Sequence, residues 1–476
     1  MLTLYNTLTK SKQEFKSLHK GKVSMYTCGP TVYDFIHIGN LRSYMTADIL
    51  RRWLEYLGYE VRHIKNITDV GHLTQDDIAQ ADTGEDKILK KALAEKKTPK
   101  EIAKFYEEAF HRDEDEMNIL RAHYFPRATA HISQMIKIIE TLIKKGHAYE
   151  KNGNVFFDVT SFRNYGKLSG NTLEELKTGA RLEEHPDKKH PWDFALWLKA
   201  DPKHLLQWDS PWSRGYPGWH IECSAMSTEY LGDTIDIHTG GEDNIFPHHE
   251  AEIAQSEGFS GKKFVNFWVH TRHLLVDGKK MSKSKGNFYT LKDIKNKGFN
   301  PMHLRLFYLS SHYRKPADFT WKALEQAKAN YERIVEWIHK LKEINHGSLA
   351  SMMEAKLPNF LSTFAETLND DLNTPLVLSH LYQLITDTNK KISDKMLTAE
   401  EAGELLKTFE KINKVFGLII QEEKSEIPEE IKKLAEKREK YRKDKNFKKA
   451  DEIRKKIEKM GYYVEDMEER YKMKKL

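Results

Sequence analysis

The sequence predicts an α/β protein: a parallel-sheet domain with an inserted domain, followed by an α-helical bundle and a small basic C-terminal region. Three observations predict it. A strand–helix–strand pattern occupies residues 23–64, apolar residues recur at helical spacing in successive segments from residue 321 to residue 420, and positive charge is concentrated beyond residue 431.

Val23–Cys28 reads as a short strand, and Gly29-Pro30 forces a turn after it. From Leu41 to Leu57 apolar residues follow helical spacing (Leu41, Tyr44, Met45, Ile49, Trp53), and Gly58 ends the helix. Glu60–Ile64 is a second strand that runs into Asn66-Ile67-Thr68-Asp69. Strands joined through a helix pair in parallel. Ligands of such sheets sit beyond the carboxyl ends of the strands, where Cys28 and Thr68 both stand. Between strand and helix lies His37-Ile38-Gly39-Asn40. Its glycine admits a close backbone approach, the helix amino terminus favours a phosphate, and His37 can donate to one.

The chain has two cysteines, Cys28 and Cys223. Downstream of the second, Phe246–Glu252 reads FPHHEAE, with His248 and Glu252 four residues apart on one helix face. Cys, Cys, His and Glu are all zinc-ligand types, and four of them close a tetrahedral shell. The plain alternative is two small buried cysteines and a polar helix start. A third element is Lys280–Asn287, KMSKSKGN, after a hairpin-like Leu274–Lys279. Lysines on a Gly- and Ser-bearing loop suit a clamp on a triphosphate, although an exposed turn has the same composition.

An insertion spans roughly Arg121–Pro217, with a hairpin turning at Asn152-Gly153. Trp321–Ile344, Leu357–Leu368, Pro375–Ile392 and Ala399–Ile420 read as bundle helices. Ile427-Pro428 breaks into a tail of two short helices around Asp444–Asn446, ending in Tyr462-Tyr463-Val464. From Lys432 to Leu476 there are 18 Lys and Arg against 10 Asp and Glu, whereas the whole chain carries only +6. The basic tail therefore suits a polyanion, the plain alternative being a solvated lysine-rich face. The expected boundaries are 1–120 with 218–318 for the sheet domain, 121–217 for the insertion, 319–426 for the bundle and 427–476 for the tail.

A chain of 476 residues exceeds one core. No apolar run is long enough to span a bilayer, and the first residues lack the basic-then-apolar pattern of a signal peptide. Two cysteines argue against a disulfide framework, so a cytoplasmic protein is expected.

Lys280–Ser284 (KMSKS) and His37–Asn40 (HIGN) together resemble the two signature motifs of class I aminoacyl-tRNA synthetases. Tyr26–Asp34 (YTCGPTVYD), Gly218–Met226 (GWHIECSAM) and Phe246–Glu250 (FPHHE) resemble the cysteinyl-tRNA synthetase family in particular, so the likeness extends over nearly the whole chain. It departs at Asn40, where the family motif has histidine, and after Asp466. The resemblance implies a Rossmann-like fold for the sheet domain and one Zn2+ per chain, held by Cys28, Cys223, His248 and Glu252. His249 or His238 could replace His248, but the spacing to Glu252 favours His248. It further implies a monomer that makes cysteinyl-adenylate from ATP and L-cysteine and transfers the cysteinyl group to cysteine-accepting tRNA. Mg2+ enters with ATP.

By the same resemblance, His37, Lys280 and Lys283 are catalytic, and with Gly39, Asn40 and Asp243 they bind ATP. Asp243 follows the Gly240-Gly241-Glu242 turn after a strand Thr234–His238. Thr68 and Trp219 line the amino-acid pocket, Trp219 being equally suited to a core. The insertion would hold the acceptor end, and the bundle would lie on the anticodon side. Phe447, Tyr462 and Tyr463 with their basic neighbours would meet unpaired bases. Three rivals are weaker. A ligase joining cysteine to a small amine needs no bundle or basic tail, a non-catalytic zinc-dependent RNA-binding protein would not keep KMSKS intact, and a zinc hydrolase needs an open coordination position.

Overall fold

In a computed structural model, described over residues 1–70, 86–171, 186–202, 204–282, 286–344, 360–420, 428–466 and 471–475, the chain begins with a hairpin of β1 (Thr3–Asn6) and β2 (Ser11–Glu14). It then enters the central sheet through β3 (Lys22–Thr27), α1 (Ile38–Tyr56) and β4 (Glu60–Lys65), and β3 and β4 pair in parallel as expected of a strand–helix–strand unit. Two helices follow, α2 (Lys87–Glu95) and α3 (Pro99–Glu116).

The insertion carries α4 (Ile132–Lys144) and an antiparallel sheet of β5 (Ala148–Lys151), β6 (Asn154–Phe157), β7 (Phe194–Lys199) and β8 (Gly215–Pro217). Asn152 and Gly153 both take positive φ, 55° and 88°, which a two-residue hairpin turn of this kind demands. The chain then runs through α5 (Trp219–Leu231), β9 (Ile235–Gly241), α6 (Glu250–Ser260) and β10 (Val265–Thr271). The finished parallel sheet has the order β10-β9-β3-β4. Its inner strands are buried almost throughout, as strands covered on both faces must be. The order reverses between β3 and β9, so the crevice beyond their carboxyl ends is the expected ligand site.

A small sheet of β11 (Leu274–Val276), β12 (Lys279–Lys280) and β13 (Ala317–Phe319) holds the hairpin before the lysine loop, with α7 (Leu291–Asn296) and α8 (Pro301–Leu309) after it. The bundle comprises α9 (Trp321–Glu343), α10 (Phe360–Asn369), α11 (Thr374–Ser393) and α12 (Ala399–Phe416).

Residues Met1–Ile419 form one compact unit and Ile420–Leu476 another. The second holds α13 (Glu429–Lys443), α14 (Phe447–Lys459) and the antiparallel pair β14 (Tyr462–Asp466) and β15 (Tyr471–Lys475), closed over Ile431, Ala435, Ile457 and Val464. Among the described residues no helix is long and apolar enough to cross a membrane.

The boundaries differ from the sequence expectation where side chains cap backbone. The first helix starts at Ile38 instead of Leu41, because the His37 ring accepts from the Asn40 backbone N–H and Asn40 Oδ1 accepts from the His37 N–H. Gly240 and Gly241 are the last residues of β9, not a turn. The last bundle helix stops at Phe416 instead of Ile420, since Gly417 turns left-handed (φ 62°) and two arginines take the helix-end carbonyls. Arg305 is fully buried and donates to Phe416 O, Met117 O, Asn118 O and Asp48 Oδ2. Arg52 donates to Lys414 O, Asn118 O and Asp48. Arg42, on the first turns of α1, similarly donates to the carbonyls of Arg272, His273, His312 and Lys315.

Candidate metal and nucleotide site

Cys28 lies one residue past β3, where its register with β4 forces a tight approach. A side chain on Gly29 would lie 1.7 Å from Asn66 O, and the Gly29 N–H donates to Asn66 Oδ1 at 2.8 Å. Cys223 projects from α5 and Glu252 from α6, and the two helices pack side by side. The fold thus brings the two cysteines together: Sγ to Sγ is 3.8 Å, and Cys28 Sγ lies 3.6 Å from Glu252 Oε1. His248 Nε2 is 3.1 Å from the same oxygen. Cys28, Cys223, His248 and Glu252 are all buried, with ligand atoms within 4.8 Å of one another. Two sulfurs, one imidazole nitrogen and one carboxylate oxygen at these separations fit a tetrahedral zinc-type shell.

The electrostatics suit a cation. Burial pushes the Cys28 thiol up, whereas the hydrogen bond from Cys28 brings Cys223 down to about 6. Burial alone would raise the Glu252 carboxyl, but the neighbouring His238 and His248 hold it at about 2. Burial likewise disfavours a charged His248, yet its hydrogen bonds to Cys223 and Glu252 lift it to about 10. A cage this rich in anionic donors binds a proton or a metal.

Around the cage, His248 Nδ1 lies 2.9 Å from His220 Nδ1, and its ring stacks on Trp219 at 4.3 Å. Trp219 is half-buried and belongs to the wall of the cage, not to the core. Thr68 is buried and donates from Oγ1 to Glu222 Oε2 at 2.9 Å, beside Cys223.

His37 and Met281 meet at Gly39. A side chain there would lie 2.9 Å from the His37 ring and 3.4 Å from Met281 Cε, so the glycine lets Met281 pack against the helix start. The Ile38 N–H also donates to Tyr289 O. Because His37 Nδ1 accepts from Asn40, the His37 proton sits on Nε2 and can be donated. Asn40 therefore serves as a cap partner where the family motif has histidine. Asp243 Oδ1 pairs with Lys280 Nζ at 3.1 Å, and Asp243 Oδ2 lies 3.2 Å from His273 Nδ1. Asn287 accepts from the Ser282 N–H and donates to Lys280 O. Lys283 falls outside the described residues.

Of the tail aromatics, Phe447 is exposed, Tyr462 leans on the small core, and Tyr463 lies under Arg454. Sequence spacing missed His270 and Arg42, and it gave His238 and His249 only as substitutes for His248. They act from strand ends and helix faces that converge in space without a local pattern.

Similarity to known proteins agrees with this geometry. Residues 14–329 match the family described as "tRNA synthetases class I (C) catalytic domain", residues 363–421 match the DALR domain, and residues 424–472 match the "Cysteinyl-tRNA ligase anticodon binding domain". The cysteine–tRNA ligase of Chlorobaculum tepidum is 43% identical over 484 residues, covering 98% of each chain. That of Treponema denticola is 44% identical over 495 residues, covering 100% of each. Among solved structures, Mycobacterium tuberculosis methionyl-tRNA synthetase bound by methionyl-adenylate shares the fold at a TM-score of 0.56 and 13% identity, over 78% of this chain and 84% of that one.

Proposed function

The chain belongs to the cysteine–tRNA ligase family of class I aminoacyl-tRNA synthetases, and from that premise we propose how its own residues divide the work. The enzyme charges tRNA with cysteine in two steps. A carboxylate oxygen of cysteine attacks the α-phosphorus of ATP, the bond to the β-phosphate oxygen breaks, and pyrophosphate leaves. The terminal ribose hydroxyl of the tRNA then attacks the carbonyl carbon, gives up its proton, and AMP departs.

Cys28, Cys223, His248 and Glu252 would hold the metal, which we take to be zinc. When bound there it would offer a soft Lewis-acid contact that favours a thiolate over a serine hydroxyl, a distinction that a hydrophobic pocket alone makes poorly. Trp219 and Thr68 would border the amino acid, Trp219 by holding the His248 ring from the open side and Thr68 through its bond to Glu222. His37 would donate from Nε2 to the phosphates at the start of α1, where the helix end also favours negative charge. Lys280 and Lys283 would neutralise charge building on pyrophosphate, with Mg2+ arriving on ATP. Gly39 and Asn40 would keep the backbone close to the nucleotide, and Asp243 would meet the ribose once ATP competes for Lys280.

The domain division at residues 1–120 with 218–318, 121–217, 319–426 and 427–476 belongs to the same proposal, as does a role for the tail beside the anticodon. There, among the described residues, Phe447 is exposed and could stack. A cytoplasmic setting suits two thiols that must stay reduced, and a monomer is expected on size-exclusion chromatography.

The observation that carries this reading is the commitment of both cysteines to one buried Cys/Cys/His/Glu cage at the carboxyl end of β3. It is tested by pyrophosphate–ATP exchange without tRNA. Exchange driven by cysteine, scarcely by serine, and lost on chelation is expected. Exchange that persists after chelation would remove the metal from amino-acid selection.

A further inference from the structure

A second group of four donors overlaps the cage. Cys28, His238, His249 and Glu252 are also buried with ligand atoms within 4.8 Å of one another. Granting that the first cage holds a metal, as proposed above, we propose a second, retracted metal position in which an ion keeps Cys28 and Glu252 but exchanges Cys223 and His248 for His238 and His249.

The shared carboxylate reaches both sets. Glu252 Oε1 lies 3.1 Å from His248 Nε2, and Oε2 lies 2.9 Å from His238 Nε2. Oε2 thus faces His238, whereas Oε1 is shared, since it also lies 3.9 Å from His249 Nε2 and 3.6 Å from Cys28 Sγ. Cys28 Sγ is likewise 3.8 Å from Cys223 Sγ on one side and 3.2 Å from His249 Nε2 on the other.

His249 has the backing a ligand histidine needs. Its Nδ1 is 2.7 Å from His270 Nε2, and His270 Nδ1 is 2.8 Å from Thr7 Oγ1, so the ring is fixed with Nε2 towards Cys28. Gly240 admits this placement, since a side chain there would lie 2.6 Å from His249 Cε1 and 3.1 Å from Nε2. His238 is instead held flat against Trp268 at 4.5 Å.

The two positions face different ways. His248 stacks on half-buried Trp219, on the side proposed for the amino acid, whereas His238 and His249 both pack on fully buried Trp268. An ion in the second set would lie deeper and exchange a thiolate for an imidazole. The donors shift from two sulfurs, one nitrogen and one oxygen to one sulfur, two nitrogens and one oxygen, both acceptable to zinc or cobalt. The retracted set would keep the ion in the protein when the outer pair is lost.

The test uses the full-length chain loaded with Co2+, whose sulfur-to-metal charge-transfer absorbance scales with the number of bound thiolates. The wild type is expected to bind one equivalent with a two-thiolate signal. The double variant Cys223→Ala/His248→Ala is expected to bind one equivalent more weakly, by about 10- to 100-fold, with about half the charge-transfer intensity. Adding His249→Ala or Gly240→Ala to it should abolish binding. If the double variant does not fold, Cys223→Ala is compared with Cys223→Ala/His249→Ala: the first is expected to bind cobalt with about half the signal and the second to lose it. A folded variant that binds no cobalt, or that binds it regardless of His249, overturns the second position while leaving the first intact. A wild type without a thiolate signal overturns both.

Discussion

Lys280 and Asp243 are joined across 3.1 Å although both side chains are more than half exposed. An exposed pair adds under about 1 kcal/mol to stability, so the pair matters for holding Lys280 beside the turn that follows β9. Asp243→Asn should raise KM for ATP by about 10-fold in pyrophosphate exchange and leave the melting temperature unchanged. An unchanged KM would remove Asp243 from the nucleotide site.

Gly39→Ala would drive a methyl group into the His37 ring and towards Met281. Displacing both motifs should lower kcat/KM for ATP by about 100-fold, the typical cost of misplacing reacting groups by an ångström. Circular dichroism should be unaltered. Activity within a factor of three of the parent would show that the two motifs do not need this close approach.

Gly417 lies where the end of the last bundle helix meets Arg52 of α1 and Arg305 of α8. A side chain there would lie 2.5 Å from Arg305 Nη2 and 3.1 Å from Arg52 Cζ, in a backbone conformation with φ at 62°. Gly417→Ala should cost about 2–4 kcal/mol, measured as a clear fall in melting temperature. Arg305→Met should cost more, because it leaves Asp48 buried with one partner fewer.

Asp113 sets a pH dependence. Burial first, and then the charge of Glu116, pushes its carboxyl up to about 7, against 3.8 for the unperturbed group. Below about pH 4 it is protonated in both folded and unfolded chains and costs nothing. Between about pH 4 and 7 the unfolded chain binds fewer protons than the folded one, so stability falls as pH rises. Asp113→Asn should therefore stabilise the protein at pH 8 by on the order of 1–3 kcal/mol and change nothing at pH 4. Equal melting shifts at the two pH values would refute the assignment.

Much of the site was legible because its chemistry is carried by residue types that are rare or regularly spaced. Two cysteines, a His–Glu pair four residues apart and a strand–helix–strand unit pointed to one crevice. Asn40 had a local signature too, since a residue three positions after His37 is where a capping box closes. The rest depends on convergence. His249 reaches Cys28 only because β9 ends in glycine, and nothing in FPHHE distinguishes its two histidines by depth. Arg42 and Arg305 bind backbone carbonyls, which every residue presents, so no pattern marks their partners. The overestimated end of α12 has the same origin, because apolar periodicity continues through Leu418 and Ile420 while Gly417 and two arginines end the helix.

The cage joins Cys28 to residues as far along the chain as Glu252, 224 positions later. During synthesis from the amino terminus at about 5–20 residues per second, Cys28 must wait roughly 10–45 s for its last partner to be made. For most of that interval Cys28 stands without the shell that buries it, and until residue 248 is made a metal meets at most two of the four donors. Loading is therefore a late event, coupled to closure of the sheet after the insertion has emerged, and a chain halted before α6 would carry both cysteines and His248 but lack Glu252, which closes the shell.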